Sequence, residues 1–346
     1  MPLISSLGLM NAMGFGFSNL LSKYIIIGHG TVPYLSMYQW KIEGGFGTKY
    51  TSYPSASGGV NAIANSPTTI AIVYSGTPYM AVYPWAIGGG VGTKYTDPAT
   101  IPTGAGRSVA FGSNYTYLAV GHSTSPFVSI YPFNGNTGIG TKFTDPSTLP
   151  TGSSQGITFN PLATNIVVAT SLTPYVSAYP WSSGGFGTKY ADPATLPAGN
   201  SYTVSFYSHY TLAIGSSSTP YIQVYDYWNG LGTKYTDPAT LTTGTSNSIT
   251  FNQTGTVIAS ASNNSLLVAY SWVDRVGFGA KYASPSTIPT GDPNSVAFDA
   301  TGKNIAAAHY TSPYISTYPW SNGFGTKYAN PTTLPTGTGL SVTFSK

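Results

Sequence analysis

Cysteine is absent from this chain of 346 residues, which excludes disulfides and thiolate metal sites. Charge is scarce as well: Asp, Glu, Lys and Arg make up 6% of the residues, where ~25% is ordinary. The surface must therefore be covered by Thr, Ser, Asn, Tyr and backbone amides. Lys and Arg form no cluster of the kind that nucleic-acid binding uses, so no nucleic-acid partner is expected. There is no stretch of ~18 apolar residues to cross a bilayer, so no membrane insertion is expected. A secretory signal needs a basic region before its apolar core. Here the first charged residue is Lys23, and no signal peptide is expected.

Acid–base groups are short too. The acids number nine, with Glu43 the single glutamate, and the arginines are Arg107 and Arg275. Four of the acids (Asp97, Asp145, Asp192, Asp237) recur at one turn position, which leaves Glu43, Asp226, Asp274, Asp292 and Asp299. Catalysis gathers perturbed titratable groups in a pocket, and neither a G-x-S-x-G elbow nor a phosphate loop is present. The expectation is a protein that is not an enzyme, with no catalytic residues, no cofactor and no metal. A deep central pocket holding Asp226, Asp274 or Asp299 beside Arg275 would reverse it.

What the chain has in plenty is Gly, Tyr and Pro, arranged in a repeat. "GTK" or its "GAK" variant starts at Gly47, Gly92, Gly140, Gly187, Gly232, Gly279 and Gly325, with gaps of 45, 48, 47, 45, 47 and 46. That is the period of a four-stranded propeller blade. Within one period, "SVAF", "NIAAAH", "YISTYPW" and "FGTKY" read as strands, separated by turn residues and followed by the long loop "ANPTTLPTG". No apolar 3.6-residue period of helical length occurs. The last residues, "GLSVTFSK", match the first strand of a repeat, and the segment from Lys23 begins at the second strand. One blade is thus shared between the ends, and a ring closes. The predicted fold is an all-β, seven-bladed propeller over 23–346 with four antiparallel strands per blade, preceded by an apolar, Gly-rich segment, 1–22.

The strand order, turn placement and shared blade resemble the WD-repeat type of propeller. The Gly-His before the first strand is missing, and "YPW" or a relative stands in place of Trp-Asp. Repeats of the form "SPYIS-YPW…GFGTKY…TLPTG", with a start such as "NAMGFGF", are similar to those of uncharacterised virion proteins of tailed bacteriophages. That resemblance implies a non-enzymatic virion structural protein: a head, collar or tail decoration or a fibre, exposed on the particle exterior. Residues 1–22 would anchor it to other virion proteins through Leu9, Met10, Met13, Phe15 and Phe17. The partners to expect are then those proteins, a host-surface glycan or protein, and further copies of the chain. The alternative is a secreted or surface lectin-like propeller that binds carbohydrate.

Four repeated features compete for a role. The lysine of "GTKY" (Lys49, Lys94, Lys142, Lys189, Lys234, Lys281, Lys327) could form a cationic ring, but an outer edge strand explains it better, since edge lysines oppose sheet-to-sheet pairing. The aromatic that ends "YPW" could be a sugar platform, but constant size with varying chemistry favours a plug between blades. His29, His122 and His309 share one repeat position on different blades, a poor arrangement for one metal. The turn aromatics Tyr34, Tyr79, Phe127, Tyr175, Tyr221 and Tyr314 should share one face with the "TLPTG" loops. These six are the candidate partner or glycan contacts, because Tyr gives rigid amphipathic contact at low entropic cost.

Overall fold

The structure is a computed structural model, and it describes residues 24–41, 43–51, 54–86, 90–264 and 266–345. Leu9, Met10, Met13, Phe15 and Phe17 lie outside the described residues. Among those described, every regular element is a strand. They form seven antiparallel sheets in a ring, six with four strands and one with three. In blade 2 the strands, from the centre outward, are Val60–Ser66, Thr69–Tyr74, Met80–Ala86 and Gly90–Val91.

Blade 1 is built from both ends of the sequence. Gly339–Phe344 is its inner strand, followed outward by Tyr24–His29, Leu35–Lys41 and Gly45–Lys49. Ile26 lies opposite Thr343 and Ile27 opposite Val342. The closure predicted from the sequence is therefore present.

The core is seven interfaces rather than one centre. The second strand of each blade is buried on both sides, as in "YIIIGH" and "NIAAAH", so it reads as a continuous apolar run without alternation. The cluster joining blades 7 and 1 packs Ile25, Ile27, Tyr38 and Trp40 against Ala306, Ala308, Ile315, Val342 and Phe344. Another cluster joins blades 1 and 2 through Ile26, Met37, Ile72 and Trp85. The plug position is filled by Trp40, Trp85, Phe133, Trp181, Tyr227, Trp272 and Trp320, all buried. The packing role assigned to the "YPW" aromatics is what the structure shows.

The fourth strands depart from expectation. "FGTKY" pairs as far as its lysine only in blades 1, 5 and 6, where Tyr38, Tyr225 and Tyr270 face Lys49, Lys234 and Lys281. In blades 2, 3 and 4 the outer strand is two residues long, and in blade 7 it is a single bridge between Trp320 and Phe324. The cause is the middle residue of "YPW". It is Pro84, Pro132, Pro180 or Pro319 in the short blades, and Gln39, Asp226 or Ser271 in the long ones. Proline has no N–H to give the ladder. Its carbonyl still accepts from Gly92, Gly140, Gly187 and Gly325 at 2.8–3.0 Å, so the chain runs alongside with the ladder interrupted.

Candidate site at the mouth of the central channel

The predicted turn aromatics come first along the chain. Tyr34, Tyr79, Phe127, Tyr175, Tyr221 and Tyr314 each follow a cis proline and take φ between 66° and 71°, and each leads into a third strand. They are half-buried and stand one per blade, on blades 1 to 5 and 7. Threonines of the "PTG" loops bond to these turns: Thr103 Oγ1 donates to Ser125 O at 2.8 Å, Thr290 to Ser312 O at 2.7 Å and Thr336 to Val32 O at 2.9 Å. Turn and loop therefore share one face, as the strand order requires.

The recurring tyrosine of "YPW" holds the same loops. Tyr131, Tyr179, Tyr270 and Tyr318 donate their hydroxyls to Thr100, Thr148, Thr240 and Thr287 carbonyls at 2.8–2.9 Å. Burial pushes the Tyr179, Tyr270 and Tyr318 phenols up to about 12. The recurring lysines are used internally too. Lys94 pairs with Asp97 at 2.7 Å, and Lys142, Lys189 and Lys234 pair with Asp145, Asp192 and Asp237. Lys327 bonds to Asn330. Lys49 instead donates to Leu334 O at 3.2 Å. A cation whose partner stands three residues on is a clasp between outer strand and loop.

His29, His122 and His309 are fully buried, each with Nε2 at 3.0–3.1 Å from a third-strand serine of its own blade: Ser36, Ser129 or Ser316. They do not converge. Asp299 is also buried and caps a turn, accepting from the Lys303 and Asn304 amides and from Thr301.

What does converge is a set of residues the repeat comparison passed over. Near its start, each inner strand presents one side chain to the channel mouth: Asn61, Arg107, Gln155, Tyr202, Asn247, Asn294 and Leu340. Six of the seven can hydrogen-bond, and Arg107, which is exposed, is the one charged residue lining this space. The asparagines are fixed by the neighbouring blade. Asn61 Nδ2 donates to Gly106 O at 2.7 Å, Asn247 to Pro293 O at 3.1 Å and Asn294 to Gly339 O at 2.8 Å. One residue further in, Thr203, Ser248 and Ser295 hydroxyls accept from the Ile249, Val296 and Val342 amides of the next blade, at 3.4, 3.2 and 3.1 Å. Ile63, Val109, Ile157, Val204 and Val342 form the apolar wall beyond. The open hollow has a volume of 180 Å³. That lies below the ~300 Å³ at which ligand pockets usually begin, so an occupant must be small and seated at the mouth.

No protein-family model matches the chain, and no curated protein does. Solved structures do. A proposed 6-phosphogluconolactonase from Bacteroides uniformis is 14% identical with a TM-score of 0.72, covering 94% of this chain and 99% of its own. The periplasmic gluconolactonase of Pseudomonas aeruginosa is 13% identical with a TM-score of 0.69, covering 94% and 99%. A functionally unknown protein from Desulfotomaculum acetoxidans is 11% identical with a TM-score of 0.68, again covering 94% and 99%. At such identities the likeness shows the propeller fold. The chain is a seven-bladed β-propeller. These neighbours overturn the expectation of a non-enzymatic virion protein on a particle exterior. They are bacterial proteins, two of them named for lactonases, and nothing among them points to phage particles or to the WD-repeat type. The phage resemblance rested on turn and outer-strand motifs, which in the structure serve packing and loop anchoring.

Proposed function

We propose that the channel mouth binds a small polyhydroxylated lactone of the sugar-acid class and promotes its hydrolysis. The observation that carries this reading is the ring of amides and one phenol around a single guanidinium. Amides and phenols recognise hydroxyl groups by donating and accepting. Arg107 stands where it can face a lactone carbonyl or a phosphate substituent. The lactonase names of the structural neighbours support the same substrate class. In the reaction, water adds to the carbonyl carbon, and the oxyanion that develops is stabilised by the guanidinium. The ring C–O bond then breaks, the ring oxygen takes a proton, and the open hydroxy acid leaves. Stabilising charge where it develops is commonly the largest catalytic term. The six turn aromatics share this face and offer ring surface to a longer ligand.

The test is a pH-stat assay with glucono-δ-lactone and its 6-phosphate, beside isothermal titration with the corresponding acids. Arg107→Gln is expected to lower the protein-dependent rate about 100-fold, the usual cost of one oxyanion donor. A wild-type rate equal to spontaneous hydrolysis, with no heat of binding, would refute the proposal.

A further inference from the structure

The repeat departs from its pattern between blades 5 and 6. In blade 5 the "YPW" stretch reads Tyr225, Asp226, Tyr227, and Tyr227 fills the buried plug position. The tryptophan has moved one residue on. Trp228 is 64% exposed, whereas the other five tryptophans are at most 7% exposed. Its ring stacks on Tyr210, with centroids 4.7 Å apart and planes 11° from parallel. The Arg275 guanidinium, from the next blade, lies 4.7 Å from the Tyr210 ring. Asp274 accepts from Thr211 Oγ1 at 2.6 Å. Tyr210, Asp226, Trp228, Lys234, Tyr235 and Arg275 are among the residues lining a cleft of 360 Å³.

Scarcity gives this cluster its weight. Only five acids lie outside the repeated turn, and two of them, Asp226 and Asp274, are here with one of the two arginines. Asp226 and Arg275 do meet, but in a cleft at the rim, so the deep central pocket that would mark a chemical site is not formed by these residues. The stack on Tyr210 leaves most of Trp228 in water, so packing does not account for its position.

We propose that this cleft is a saccharide subsite in which one neutral pyranose ring lies against Trp228. A pyranose has apolar C–H faces and a rim of hydroxyls. An aromatic platform takes the faces, and the Asp226 carboxylate and the Arg275 guanidinium take the rim through charge-assisted hydrogen bonds. The lining carries both signs, Asp226 against Arg275 and Lys234, and Lys234 is already paired with Asp237, so a neutral ring meets acceptors and donors alike. The volume lies at the small end of the ~300–1,000 Å³ range of ligand pockets and suits one ring. Tyr210 follows a first strand, and Trp228 and Arg275 follow third strands. Those connections emerge on the face opposite the channel mouth, so the subsite stands independently of the lactone reading.

Trp228 is the one exposed tryptophan, and intrinsic fluorescence therefore reports on this place. The full chain is titrated with methyl β-glucoside, methyl α-mannoside, cellotetraose and maltotetraose, followed by fluorescence, acrylamide quenching and calorimetry. The expected result is a saturable blue shift with protection from quenching by at least one of them. Calorimetry should show affinity about tenfold weaker in Trp228→Ala, the loss of one aromatic face. Asp226→Asn should weaken it as well, and Arg107→Gln should leave it unchanged. Circular dichroism identical to wild type certifies each variant. No saturable response to any of the four sugars would overturn the proposal, as would binding that Trp228→Ala retains or that Arg107→Gln abolishes.

Discussion

The buried histidines show how one side chain ties stability to pH. Burial pushes His122 and His309 down to about 4, and His29 down as well. Lys142 near His122 and Lys327 near His309 act in the same direction. Each ring is held neutral against a serine hydroxyl. The unfolded chain binds protons at these sites below pH 6.5, while the folded chain refuses them until about 4. Their contribution is therefore complete above pH 6.5 and is lost as pH falls toward 4. The shift corresponds to roughly 3 kcal/mol for each histidine at full effect. The double variant His122→Gln, His309→Gln keeps a hydrogen-bonding group and removes the titration. Its melting temperature should fall less between pH 7 and 4 than that of wild type in scanning calorimetry. Equal slopes would show that the histidines are not the source. By contrast, the Lys–Asp clasps have partly exposed partners and are worth about 0–1 kcal/mol each.

At the scale of the strand, a single proline decides how far the outer ladder runs. A blade with Gln, Asp or Ser in the middle of "YPW" keeps an N–H, and the outer strand pairs as far as its lysine. A blade with Pro does not. Pro180→Ser should therefore lengthen the outer strand of blade 4 to match blades 1, 5 and 6. The amide introduced at position 180 should be protected in hydrogen exchange. Unprotected exchange at 180 would show that the outer chain cannot close the gap. Glycine sets another limit at this scale. A Cβ on Gly121 would lie 2.2 Å from Ser154 Oγ and 2.4 Å from Ser108 Oγ, so blades 3 and 4 approach too closely there for any side chain.

For the whole molecule, what matters is the closed ring. Each interface buries the second strand of one blade against its neighbour, and no interface is spare. The inner strand of blade 1 comes from the C-terminal end and brings Val342 and Phe344 into the cluster between blades 7 and 1. Asn65 Nδ2 also donates to Phe344 O at 2.7 Å, tying that strand to blade 2. Deleting residues 339–346 removes two buried side chains worth about 3–6 kcal/mol together and exposes the ladder edge of Tyr24–His29. The truncated chain should lose its single cooperative melting transition and aggregate in light scattering. A peptide of residues 336–346 supplied in trans should restore part of it. A truncated ring that melts as wild type would deny the closure its role.

The sequence by itself determined the propeller, its seven blades and the shared blade at its ends, because a period near 46 residues and alternating strand chemistry are local properties. It also showed the packing role of the "YPW" aromatics, which follows from constant size. It did not show the two candidate sites. The mouth ring joins positions some 46 residues apart that share no motif, and only the radial arrangement of inner strands makes Asn61, Arg107 and Asn294 neighbours. The rim cleft joins Tyr210, Trp228 and Arg275 from two blades, and only tertiary structure turns a one-residue slip in a repeat into an aromatic platform beside a carboxylate and a guanidinium. Repetition marks what the architecture needs, whereas binding chemistry stands where the repeat varies, and the fold alone decides which variations meet.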